Sequence, residues 1–102
     1  MNSNQRLNIH PGEILRLEFL ELLDITPYRL SKDINVAQTR ISEILAEKRS
    51  ITADTALRLS KYFGNNAQFW LNLQTQYDLR QAREENEEVY RHIPVAQLAH
   101  LT

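Results

Sequence analysis

The placement of glycine and proline constrains this chain more than any other feature. Two glycines and three prolines occur in 102 residues, and each falls where an apolar run with helical spacing should begin or end. Pro11-Gly12 precedes "EILRLEFLELL", whose first turn is acidic and whose Ile14, Leu15, Phe19, Leu22 and Leu23 form an apolar face. Asp24-Ile25 breaks that pattern. Thr26-Pro27 then reads as a threonine cap with proline at the first helical position. The short second helix, "PYRLSKDI", places Leu30 and Ile34 four apart on one side. Asn35 tolerates the left-handed conformation and can end that helix in a sharp turn.

A third helix is expected from about Ala37 to Ala46, with Ile41, Ile44 and Leu45 on its inner side. "EKRSI" is a loop. Thr52 caps a fourth helix, which buries Ala56, Leu59 and Phe63 before Gly64 stops it. Asn65-Asn66 offers the next cap. A fifth helix starts near Ala67, continues through "LRQAREENEEVY" and ends before Pro94. No segment alternates as a strand does and nothing repeats, so the expected fold is all-α with five helices.

Charge and composition narrow the chemistry. Net charge is −1, but residues 35–63 hold five Lys and Arg against three Asp and Glu. The middle is mildly basic and the tail acidic, weak support for a local anionic partner. There are no cysteines, which excludes disulfides and thiolate metal sites. His10, His92 and His100 show no ligand spacing, and no serine has a nucleophile arrangement. The expectation is therefore no enzyme, no cofactor, no metal and no small-molecule substrate. No apolar run approaches the ~20 residues a membrane helix needs. The N-terminus lacks a secretory apolar segment, so a cytoplasmic protein is expected.

Two short helices joined by a tight turn outline a helix-turn-helix. Ser31 is small where the two helices must cross closely, Asn35 supplies the turn, and Val36 plugs the corner. Ile41, with Ile44 and Leu45, anchors the third helix from inside. On a helical wheel, Thr39 and Glu43 lie opposite that face, with Arg40 and Ser42 flanking and Gln38 in the first turn. In DNA-binding proteins of this type such residues reach base edges in the major groove. Gln38 suits adenine, Thr39 the thymine methyl, and Glu43 the amino group of cytosine. Arg40, Ser42, Lys48 and Arg49 suit the phosphate backbone. An ordinary solvated face of a helical bundle would show the same spacing.

These residues resemble the lambda-repressor-like helix-turn-helix superfamily. With "HPGEIL" at the start, "RISEILAEKRSITADTALRLSKYFG" in the middle and "FWLNLQTQYDL" after it, the chain resembles the HigA-type antitoxins, also called the VapI family. The likeness spans about His10 to Arg83. It implies a lambda-repressor-like five-helix domain over residues 10–83, after a flexible arm at 1–9 and before a C-terminal helical extension at 84–102. It implies a homodimer on double-stranded DNA at a palindromic operator, which represses its own operon. It also implies neutralisation of a HigB-type toxin that cleaves mRNA. Two positions depart from the family pattern. Ala37 stands where a small polar residue is usual, and Glu47 where glycine is common between the third and fourth helices.

The stripe Phe69, Trp70, Leu73 and Tyr77 has core spacing, and Trp70 and Tyr77 are also candidates for a dimer seam. Beyond it, Leu79, Val89, Tyr90, Ile93, Val95 and Leu98 are more apolar than a solvated tail needs, which places the expected dimer contact there, with Tyr90 and Ile93 in it. "REENEE" is a solvated face or a surface for a basic toxin. A stand-alone regulator without a toxin, or a helical module that no longer binds DNA, would share most of these features.

Overall fold

The computed structural model describes residues 8–97. Its elements are α1 (Pro11–Ile14), which runs on as a π-helical stretch (Leu15–Glu21), then α2 (Pro27–Ile34), α3 (Gln38–Leu45), α4 (Ala53–Phe63) and α5 (Ala67–Arg91). No strand occurs among the described residues. Residues 1–7 of the arm expected at 1–9, and Leu98 and His100 of the tail, lie outside them. Asn8, at the arm's end, donates through Nδ2 to the Tyr77 carbonyl at 3.0 Å and to Gln81 Oε1 at 3.1 Å.

The helix ends follow local chemistry. Thr26 Oγ1 accepts from the Arg29 amide, Thr52 Oγ1 from the Thr55 amide, and Asn66 Oδ1 from the Phe69 amide. Each satisfies an amide that a helix start leaves unpaired. Asn35, at φ 57° and ψ 54°, closes α2, and Gly64, at φ 78°, closes α4. Asp24, at φ 58°, ends the first helix.

The core is Leu15, Leu20, Leu30, Ile34, Val36, Ile41, Ile44, Ile51, Ala56, Leu59 and Trp70. Phe19 bridges Phe63 and Trp70 with ring centroids 4.9 Å from each. The first helix differs from its expected register. Leu22 and Leu23 are exposed, at 75% and 52%, while Leu20 is buried. The physical reason is the π stretch, which puts five residues between bonded groups and rotates later side chains off the α spacing. The Ile25 amide, bonded to the Leu20 carbonyl at 2.9 Å, has the same five-residue span.

Trp70 is the second correction. It is fully buried within its own chain and its Nε1 donates to Asn65 Oδ1 at 3.2 Å, so it has no surface to give a dimer contact. Phe63 is half-buried rather than buried. The fifth helix runs past residue 83 and kinks at Asn86, at φ −129° and ψ 27°, where two helical pieces join. From Arg83 onward every described residue is exposed.

Candidate nucleic-acid interface

α2 and α3 are held at a fixed angle from inside. Ser31 is buried at their crossing, and its Oγ donates to the Tyr28 carbonyl at 2.7 Å. The Val36 amide bonds the Ser31 carbonyl at 3.0 Å, closing the turn around left-handed Asn35. Val36 is buried in the corner, and Ile41 and Ile44 are fully buried under α3. A helix pinned on one side in this way offers the other side to a partner without moving.

The offered side holds Gln38, Thr39 and Ser42, all exposed, flanked by Arg40 and Glu43, which are partly covered. Ala37 sits at the N-cap with no side-chain bond to the helix amides. Lys48 and Arg49 are exposed on the loop after α3. Two of these residues meet. Arg49 Nε donates to Glu43 Oε1 at 2.7 Å, a charge-assisted bond between two half-exposed side chains.

Glu47 has a backbone explanation. Its φ is +65°, the left-handed region that favours glycine. The Glu47 amide bonds the Ile44 carbonyl at 2.9 Å and the Lys48 amide bonds the Glu43 carbonyl at 2.8 Å. That pair of bonds wraps the chain back over the end of α3. Glutamate adopts the conformation at some cost in backbone strain.

Several supporting residues carry no signal in the linear pattern. Arg58 on α4 donates through Nη1 to the carbonyls of Ile34 at 2.9 Å and Asn35 at 3.0 Å, and through Nε to Asp54. A cation thus satisfies the exposed carbonyl end of α2, where the helix dipole favours it. Gln74 is buried on α5, accepts from the Ile51 amide at 2.8 Å and donates to Asp78. Asp33 accepts from the Tyr62 hydroxyl at 2.6 Å, which raises the Tyr62 pKa above its ordinary value.

The "HPGE" opening braces the same site from below. His10 Nδ1 accepts from the Gly12 amide at 2.8 Å, Pro11 fills the first helical position, and the His10 ring packs edge-on against Tyr77 at 4.8 Å. A Cβ on Gly12 would overlap the Ile44 carbonyl oxygen, so only glycine lets α1 approach the end of α3 this closely. Burial lowers the His10 pKa below 6.5, against the opposing pull of Glu47 and Asp78.

Tyr77 is partly covered by this packing, while Tyr90 and Ile93 are exposed at 45% and 63%. Among the described residues no group of His, Asp and Glu is placed to hold a metal ion, and no helix is long and apolar enough to cross a membrane.

A buried crossing, a left-handed turn and an outward-facing second helix define a helix-turn-helix protein. Residues 17–70 match the family model described as helix-turn-helix. The chain is 48% identical to virulence-associated protein I of Dichelobacter nodosus, over 91% of this chain and 86% of that protein. It is 33% identical to antitoxin HigA-1 of Vibrio cholerae, over 86% of this chain and 83% of the relative. The solved structure of Pseudomonas aeruginosa antitoxin HigA with the higBA promoter superposes with a TM-score of 0.85 at 42% identity, covering 89% of this chain and 100% of that one. The chain belongs to the helix-turn-helix family and, within it, to the HigA-type antitoxins.

Proposed function

We propose that this chain is a DNA-binding antitoxin that represses its own operon as a homodimer and neutralises a HigB-type, mRNA-cleaving toxin. The observation that carries the reading is α3, whose inner side is locked by Ile41 and Ile44 while Gln38, Thr39 and Ser42 stand exposed. Its likeness to an antitoxin HigA solved with promoter DNA supports the same reading. In it, Gln38 and Thr39 meet base edges, while Arg40, Ser42, Lys48 and Arg49 meet phosphates. Two copies on a palindrome place their α3 helices about 34 Å apart, one turn of the duplex.

A gel shift with the DNA upstream of its own gene tests the DNA half. The expected result is tight binding that weakens steeply with salt, because phosphate contacts release counterions. Gln38→Ala with Arg40→Ala should abolish the preference for that DNA, and unchanged binding would remove α3 as the reading helix. Co-expression with the neighbouring open reading frame tests the toxin half. Its product should co-purify and its toxicity be suppressed. A neighbour that neither binds nor harms the cell leaves a stand-alone regulator.

A further inference from the structure

We propose that Glu43 is a positioning residue that holds the Arg49 guanidinium ready for a DNA phosphate, rather than a reader of base edges. The inference rests on the DNA-binding reading and deepens it. Glu43 lies on the outward stripe of α3, one turn beyond Thr39. Its carboxylate takes Arg49 Nε at 2.7 Å and its own backbone carbonyl takes the Lys48 amide at 2.8 Å. One residue therefore anchors two successive loop residues, one by main chain and one by side chain. At the far end of the loop, the Ile51 amide is bonded to buried Gln74. Arg49 is thus presented from a loop fixed at both ends.

The chemistry fits phosphate better than cytosine. The pair engages Arg49 through Nε, which leaves the two-nitrogen Nη edge of the fork for a second acceptor, and the fork matches phosphate oxygens. Accepting from a cytosine amino group would ask the Glu43 carboxylate to share or release a short charged bond. A lone carboxylate beside DNA is repelled by phosphate, whereas one neutralised by arginine is tolerated.

The test uses the full chain, its own upstream DNA and the variants Glu43→Gln, Arg49→Ala and the double variant. Affinities are measured between about 50 and 200 mM salt. Glu43→Gln is expected to weaken binding about as much as Arg49→Ala, and the double variant to be no weaker than Arg49→Ala alone. Each should lower the salt slope by about one phosphate per protomer, and leave the ranking of single-base operator variants intact. Bulk electrostatics predicts the opposite sign, since removing a carboxylate should tighten binding. Tighter binding by Glu43→Gln, additive losses, or about fivefold relaxed discrimination at one base pair would each overturn the proposal. Failure of the unmodified chain to bind would instead overturn the DNA-binding reading, and the proposal with it. Both side chains are half exposed, and equal thermal midpoints establish that the variants are folded.

Discussion

His10 shows how one residue carries several duties in this fold. It caps α1, packs on Tyr77 and feels the charges of Glu47 and Asp78. Its Nδ1 accepts a hydrogen bond, which requires that nitrogen to be unprotonated. With the folded pKa below the unfolded 6.5, the unfolded chain takes the proton first. Stability is therefore full above about pH 7 and falls as pH drops through about 6.5 toward the lower folded value. His10→Asn keeps an acceptor at the cap and removes the titration. Urea midpoints of the native chain should fall relative to that variant between about pH 7 and 5.5, and parallel curves would refute the assignment.

At the scale of elements, α2 and α3 depend on a third helix. Arg58→Ala strips two bonds from the carbonyl end of α2 and should cost about 1–2 kcal/mol in urea unfolding. It should weaken DNA binding more than the lost stability explains, because the turn around Asn35 loses its brace. A variant unchanged in both respects would make Arg58 a surface residue only.

The helix starts and stops at Thr26, Asn35, Thr52, Gly64 and Asn66 were legible in the sequence because capping is local, decided within three or four residues. The outward stripe of α3 was legible for a similar reason, since its inner apolar residues are spaced as a single helix requires. The register of the first helix was not, because its π widening is seen only where Leu20 takes the inward place and leaves Leu22 and Leu23 outside. Gln74 and Arg58 were illegible because their partners are backbone groups 23 and 24 residues away. Trp70 fits two roles in the sequence because periodicity shows a stripe but not what covers it.

The whole molecule has a packed end and a bare end. Residues 10–81 enclose the core, whereas α5 beyond Arg83 carries Val89, Tyr90 and, just past its end, Ile93, which stay exposed at 59%, 45% and 63%. We propose that in the homodimer this bare end meets its copy. Tyr90→Asp with Ile93→Asp should give a monomer in sedimentation equilibrium. Affinity for the full palindrome should fall toward that for one half-site, since the linked second contact is lost. An unaltered dimer would place the contact elsewhere.

The Gln74–Ile51 bond has a consequence that a solvent-exchange experiment can read. Loop amides usually trade hydrogen with water quickly, yet the Ile51 amide is shut against a buried side chain of another helix. Its exchange should be as slow as that of core amides in α4, while the neighbouring Ser50 exchanges fast. Gln74→Ala should speed Ile51 selectively, and a native rate equal to that of Ser50 would show the bond to be open in solution. A single slow amide in the loop would then act as a gauge of whether α5 is seated.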